Sequence, residues 1–214
     1  MIPTPDLSHL NSKDFRNIYE PAEDTFLLLD ALEQDQDELR ALHPSICLEL
    51  GSGSGCVTTF LGSLLKPSLA YMVTTDINPH AAVATVATGK KNGISIDTVE
   101  TSLVQGLLPR MRHSIDVLCF NPPYAVTPSS EIAGNGIEVS WAGGIDGREV
   151  IDATLPFVKE LLSEKGIFYL LLVSDNKPDE VVSLLQVEGF NAHICLQRLA
   201  GREKQLIVKV TRRT

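Results

Sequence analysis

The chain has 214 residues, of which 43% are hydrophobic, and a formal net charge of −9. That length fits one α/β domain with a sizeable core, and the acidic balance disfavours a protein that grips duplex nucleic acid by its phosphates. The four cysteines form no C-x-x-C pair and the five histidines are scattered, so neither a metal site nor a disulfide framework is expected. Cys47, Cys119 and Cys195 fall in apolar, strand-like runs and read as reduced core thiols.

The opening Met1-Ile2-Pro3-Thr4-Pro5-Asp6 is polar and broken by proline, so no secretory leader is expected. No apolar run reaches the length of a membrane span. A cytoplasmic location is expected, with the nucleus as a second compartment. Residues 1–18 read as a flexible arm, and residues 19–214 as a single domain without internal repeats. Tyr19-Glu20-Pro21-Ala22-Glu23-Asp24-Thr25 has the acidic residues and proline of a helix start, and the helix is expected to continue to about Leu42, before Pro44. It packs on the sheet, and Glu23 and Thr25 can face a ligand from its first turn.

Ile46–Leu50 reads as a short buried strand, followed at once by Gly51-Ser52-Gly53-Ser54-Gly55 and a helix from Cys56. Strand, glycine turn and helix open a doubly wound nucleotide-binding fold. The dinucleotide fingerprint G-x-G-x-x-G fails at Cys56, so the alternating glycines permit close backbone approach without the full phosphate-gripping pattern. Glu49 puts a carboxylate at that strand end. The second strand, Ala70–Thr75, ends at Asp76, roughly twenty residues past the glycine turn, where a carboxylate can take a ribose hydroxyl pair. Capping of the next helix is the bland alternative for Asp76, although Asn78 before Pro79 is the better cap. A third strand near Ile94–Thr101 leads to Ser102 and Leu103.

Ile115-Asp116-Val117-Leu118-Cys119-Phe120 reads as a buried central strand, and Asn121-Pro122-Pro123-Tyr124 stops it. Asn121 therefore stands at a strand's carboxyl end, the place where open α/β sheets bind ligands. Asn121 brings a side-chain carbonyl, Pro122 and Pro123 bring backbone carbonyls without N–H groups, and Tyr124 brings a flat face. This set suits a planar group bearing an NH2, although Asn-Pro-Pro also makes ordinary turns. Downstream, Pro128–Glu131 and Gly134-Asn135-Gly136 suggest a mobile lid, with Trp141 as its anchor or as a core residue. A helix over about Arg148–Leu162, kinked by Pro156, precedes a strong strand at Gly166–Val173. A helix at Pro178–Glu188 and an antiparallel pair, Phe190–Leu199 with Gln205–Val210, complete the domain, and the tail 211–214 is basic.

These motifs together resemble the class I S-adenosylmethionine-dependent methyltransferases, and most closely the eukaryotic branch of the HemK-type glutamine methyltransferases that modify release factors. The carriers are Tyr19–Thr25, Glu49–Gly55, Thr75–Pro79, Asn121–Tyr124 and Trp141–Gly144, so the resemblance covers nearly the whole chain. It implies a Rossmann-like sheet of seven strands in the order 3-2-1-4-5-7-6, the last antiparallel, with helices on both faces. It implies S-adenosylmethionine held by Thr25, Glu49, Gly51, Gly53, Asp76, Ser102, Leu103 and Asn121, and released as S-adenosylhomocysteine. The implied acceptor is the Gly-Gly-Gln glutamine of the class 1 release factor, bound by Asn121, Pro122, Pro123 and Tyr124, of which Asn121, Pro122 and Tyr124 serve catalysis. Relatives commonly carry an acidic residue where Ser102 stands, so the adenine contact is expected to be kept without its charge. The resemblance also implies a small zinc-binding activator subunit that adds a strand beside the third strand, along Ile94–Val99.

Other acceptors fit the same motif, namely a histone lysine or the exocyclic amine of adenine in nucleic acid. A nicotinamide oxidoreductase is disfavoured by Cys56, and a noncatalytic scaffold by the intact Asp76 and Asn121.

Overall fold

The computed structural model describes residues 2–134 and 136–213. Met1, Asn135 of the expected lid and Thr214 of the basic tail lie outside the described residues.

Seven strands form one sheet in the order β3-β2-β1-β4-β5-β7-β6, as the resemblance implied. They are β1 (Ile46–Leu50), β2 (Tyr71–Asp76), β3 (Ile96–Glu100), β4 (Ile115–Phe120), β5 (Leu162–Val173), β6 (Phe190–Ala200) and β7 (Glu203–Arg212). β1 pairs in parallel with β2 on one side and β4 on the other, with Leu48 opposite both Val73 and Leu118. β7 runs antiparallel to β5 and to β6. The chain builds outward from β1 to β3, then returns to lay β4 against β1's other edge. That reversal opens a crevice beyond the carboxyl ends of β1 and β4, and the glycine loop and Asn121 both emerge there.

The helices are α1 (Glu23–Gln34), α2 (Gln36–Ala41), α3 (Cys56–Leu65), α4 (Pro79–Lys91), α5 (Glu149–Leu161) and α6 (Pro178–Val187). Two apolar layers sandwich the sheet, and alternate strand residues serve each layer. Val117 and Cys119 of β4 and Ile167, Tyr169 and Leu171 of β5 point to the layer under α1 and α3. Leu118, Phe120, Phe168, Leu170 and Leu172 point to the layer under α5 and α6. Both faces of β4 are thus covered, which is why it reads as an apolar run broken only by Asp116.

Three expectations change in detail. The single helix expected up to Leu42 is two, α1 and α2, broken at Asp35. The Asp35 carboxylate is drawn to the sheet instead, accepting from the Tyr169 hydroxyl and pairing with Lys209 Nζ, both at 2.7 Å. β5 starts four residues earlier than expected because Leu162 pairs with Ile115 before a register shift to Val117 and Ile167. α5 runs from Glu149 to Leu161 with Pro156 inside it. The cysteines are free thiols, Cys47, Cys56 and Cys119 buried and Cys195 half-buried.

The arm over 2–18 has contacts that the sequence did not announce. Asp6 exchanges backbone hydrogen bonds with the Asn92 side chain at 2.8 and 3.0 Å. Ile18 is buried against Ala81 and Ala84 of α4, with Leu10 and Phe15 beside it. The arm therefore leads Tyr19 directly to the crevice.

Candidate active site

A cavity of about 1090 Å3 fills the crevice. Every residue expected to serve the site lines it: Thr25, Glu49, Gly51, Gly53, Asp76, Ser102, Leu103, Asn121, Pro122, Pro123 and Tyr124.

The glycine loop is shaped from both sides. Gly51, Gly53 and Gly55 all take positive φ. A Cβ at Gly55 would stand 2.7 Å from Thr85 Cα, so this glycine lets α3 and α4 pack. At Gly53 a Cβ would meet nothing within 4 Å, and the loop there faces open cavity. Asp76 holds the loop, with Oδ2 accepting from Gly53 N–H and Oδ1 from Asn78 N–H, both at 2.9 Å. Burial raises the Asp76 carboxyl above the usual range, opposed by these backbone donors. The cap of α4 is Asn78, whose side chain accepts from His80 N–H at 3.0 Å. Asp76 is thereby left to the loop and the cavity.

Glu49, at the end of β1, is buried and accepts from the Thr58 N–H (3.0 Å) and hydroxyl. Burial pushes its carboxyl up to about 8, against the pull of the Thr58 donors. On the far side of the loop, Ser102 and Leu103 follow β3, and Leu103 turns through a left-handed conformation (φ +48°). Its side chain packs at the edge of the apolar layer that contains Val104 and Leu107.

The opposite wall centres on a residue the sequence reading passed over. Asp24 is 2% exposed, in the first turn of α1. Its Oδ1 accepts from Thr25 N–H (2.6 Å) and the Tyr19 hydroxyl (3.2 Å). Its Oδ2 accepts from Asn121 Nδ2 (3.1 Å) and the Tyr124 hydroxyl (3.3 Å). Burial, reinforced by the Asp24 charge, raises both tyrosine hydroxyls above their ordinary range, so each stays a neutral donor. The consequence falls on Asn121. Its NH2 is committed to Asp24, while its Oδ1 is buried and has no hydrogen-bond partner among the described residues. A buried carbonyl without a donor is costly, and here it belongs to the cavity wall. In sequence Asp24 is one of three acids at a helix start, where a favourable helix-end charge already accounts for it. Trp141 is no core residue: it is 40% exposed on the cavity rim, and its carbonyl accepts from Ala125 N–H at 2.8 Å.

No family model matches the chain. It is 48% identical over 209 residues to the methyltransferase HEMK2 of Homo sapiens, covering 98% of this chain and 96% of that protein. It is 39% identical over 228 residues to the eRF1 methyltransferase catalytic subunit mtq2 of Schizosaccharomyces pombe, covering 99% and 96%. The chain is a HemK-type methyltransferase.

Among solved structures, this HemK-type methyltransferase is similar to that of the E. cuniculi Mtq2–Trm112 complex, which is responsible for methylation of the eRF1 termination factor. The TM-score is 0.71 and the identity 30%, over 92% of this chain and 99% of that one. A 16S rRNA guanine methyltransferase from T. thermophilus, solved with S-adenosylmethionine and guanosine, shares the fold at a TM-score of 0.65 and 17% identity. The class I fold expected from the sequence is thus the observed one, and its cavity stands where the methyltransferase motifs meet.

Proposed function

We propose that this chain transfers a methyl group from S-adenosylmethionine to the side-chain amide nitrogen of the Gly-Gly-Gln glutamine in a class 1 release factor. The observation that carries the reading is Asn121 on the cavity wall, its NH2 held by Asp24 and its buried Oδ1 left without a hydrogen-bond partner among the described residues. The fission-yeast relative is an eRF1 methyltransferase subunit and the E. cuniculi complex methylates the eRF1 termination factor, which supports a release factor as the acceptor.

The residues present fit the cofactor. Gly53 offers backbone to an open face, Asp76 stands beside it with a carboxylate for a ribose, and Thr25, Glu49 and Gly51 line the same cavity. Ser102 and Leu103 stand on the side where an adenine would lie. The cofactor, when bound, supplies an electrophilic methyl group on a sulfonium.

A glutamine amide is a weak nucleophile because its nitrogen lone pair is delocalised into the carbonyl. Asn121 Oδ1 and the Pro122 carbonyl can accept its two N–H protons, concentrating electron density on nitrogen and fixing its orientation. Tyr124, its hydroxyl held by Asp24, closes the pocket beside them. An N–C bond forms as the S–C bond breaks, and the nitrogen's extra proton passes to solvent. The products are N5-methylglutamine and S-adenosylhomocysteine, and no general base is needed.

The same reading includes a heterodimer with a small zinc-binding subunit, the arrangement named for the E. cuniculi relative and its Trm112 partner. β3 is an outer strand of the sheet and, among the described residues, pairs only with β2. Leu69, Tyr71, Val83 and Val86, beside that edge or on α4, expose apolar side chains. An unpaired edge flanked by apolar surface suits strand addition. The same reading includes a cytoplasmic location, where release factors act, with the nucleus as a second compartment.

The deciding experiment is labelled methyl transfer to a eukaryotic class 1 release factor, using the chain co-expressed with the zinc-binding subunit. Transfer that disappears with Asn121→Ala, and again when the Gly-Gly-Gln glutamine is replaced, establishes reaction and acceptor together. Cofactor binding without transfer to the release factor overturns the acceptor and directs the same assay to histone tails and nucleic acid.

A further inference from the structure

The loop that carries the acceptor groups has little backbone of its own to hold it. Pro122 and Pro123 have no N–H to donate, so Asn121-Pro122-Pro123 leaves β4 without the usual turn bonds. What fixes it comes from the end of β5. Asn176 closes the 3-10 turn Ser174–Asn176 and is fully buried. Its Oδ1 accepts from Val173 N–H at 2.8 Å. Its Nδ2 faces three carbonyls, those of Tyr124 (2.9 Å), Asp146 (3.1 Å) and Gly147 (3.2 Å).

Such a junction needs an amide. It requires one acceptor for Val173 and a two-proton donor for converging carbonyls, at the reach of a single methylene. A carboxylate would set negative charge against three carbonyl oxygens. An alanine would leave those oxygens buried and short of a donor. The opposing surface is cut to match. Gly147 has φ +64°, and a Cβ there would overlap the Tyr124 carbonyl oxygen. A Cβ at Gly143 would stand 2.7 Å from the Pro123 carbonyl oxygen. The turn 143–147 thus lies flat on the backbone of the acceptor loop, and Asn176 ties the two together.

We propose that Asn176 is a positioning residue for methyl transfer, anchoring the Tyr124 carbonyl and so setting where the Pro122 carbonyl and the Tyr124 ring stand relative to Asn121. The inference rests on the amide-acceptor reading above and adds a residue that touches neither cofactor nor acceptor. Asp24 fixes one of the two acceptors through a side chain. The other is main chain, and its place depends on the anchor.

The test uses the enzyme co-expressed with its zinc-binding subunit, carrying Asn176→Asp or Asn176→Ala. Four quantities are measured: kcat and KM for the release factor, the Kd of S-adenosylhomocysteine by calorimetry, Tm, and amide hydrogen exchange by mass spectrometry. The expected result is a kcat lower by about 10- to 100-fold, the scale of a misplacement near 1 Å. KM and the S-adenosylhomocysteine Kd stay within about two-fold of wild type, while exchange speeds up over 124–127 and 143–147. A role in folding alone would lower Tm and leave kcat per folded molecule unchanged, and that outcome overturns the proposal. Should both variants fail to fold, Asn176→Ser retains an acceptor for Val173 and is read in the same way. The exchange measurement does not depend on the acceptor. Wild-type enzyme inactive on the release factor would sink the glutamine reading alone, whereas unchanged exchange in the variants would sink the anchor.

Discussion

Asp24 Oδ2 lies 3.1 Å from Asn121 Nδ2, and this contact fixes which way round the asparagine amide sits in the cavity wall. An asparagine side chain is nearly symmetric in shape, so its orientation comes from its hydrogen-bond partners. The buried carboxylate can only accept, so the amide NH2 must face it and Oδ1 is turned away from it. The two residues lie 97 apart in sequence, one on the first turn of α1 and the other at the end of β4.

Asp24→Asn removes that choice, because an amide can donate to Asn121 as well as accept from it. The expected outcome is a kcat reduced by about 10²-fold, the scale of losing one preorganised polar contact at a reacting centre. The Kd for S-adenosylhomocysteine is expected to change by less than about five-fold, since Asp24 is not needed to shape the glycine loop. Steady-state kinetics and calorimetry on the same preparation separate the two. An unchanged kcat would show that Asn121 is oriented by something else.

Asp24→Ala asks a second question of the same contact. It leaves the Asn121 NH2 and the Tyr19 and Tyr124 hydroxyls without their acceptor in a buried place. A loss of about 2 to 4 kcal/mol in unfolding free energy is expected, since each abandoned buried group costs about 1 to 3 kcal/mol before relaxation. Urea unfolding of wild type and variant measures it.

The sequence carried the sheet almost whole, for a physical reason. Strands covered on both faces are written as apolar runs, and the turns between them are marked by glycine and proline, as at Leu50-Gly51 and Phe120-Asn121-Pro122. The residues named for the site all came to one cavity because each, apart from Thr25 in the first turn of α1, stands at or just beyond a strand's carboxyl end, a position that topology makes common ground. Asp24 and Asn176 stayed hidden because their work depends on tertiary neighbours. An acid in the first helical turn and an asparagine after a strand have ordinary local explanations, and nothing local announces that one meets Asn121 and the other Tyr124. The break at Asp35 was hidden likewise, since the partners that draw it inward, Tyr169 and Lys209, come from β5 and β7.

Ser102→Asp puts a charge at the position where the family resemblance implies an acid. Ser102 lines the cavity beyond β3, so a carboxylate there would accept from the adenine amino group more strongly than a hydroxyl does. Cofactor affinity is expected to stay level or rise by up to about ten-fold, as charge-assisted hydrogen bonds gain roughly 1 kcal/mol over neutral ones. Calorimetry with S-adenosylhomocysteine checks this, and a large loss of affinity would remove Ser102 from the adenine site.

Glu49 gives the ligand-free protein a pH dependence of definite sign. Its carboxyl is pushed up to about 8 in the folded protein, chiefly by burial, from an ordinary value of 4.5. Between those two values the native state binds more protons than the unfolded state, so unfolding free energy falls as pH rises. Above about 8 the penalty is complete, and below 4.5 it is absent. Glu49→Gln keeps the shape and removes the titration. Its Tm is therefore expected to fall less than that of wild type between pH 5.5 and 8.5, in scans made without cofactor. Parallel curves for the two proteins would place the burial penalty elsewhere.

The free edge of β3 makes a prediction that spares the site. Thr101 N–H bonds to the Asp76 carbonyl of β2 at 2.9 Å. Strand backbones alternate, so the N–H of Thr98, three residues earlier, points away from β2 toward the open edge. Proline at position 98 would leave the backbone bonds to β2 in place, give up the 2.9 Å bond between the Thr74 and Thr98 hydroxyls, and remove an outward donor that an added strand would need. Thr98→Pro is expected to reduce co-purification of the zinc-binding subunit at least ten-fold and to lower the yield of soluble enzyme, whose apolar flank at Tyr71 and Val83 is then uncovered. The release-factor pocket, on the other side of β1, is untouched by the change. Undiminished co-purification would mean that the subunit docks elsewhere than along β3.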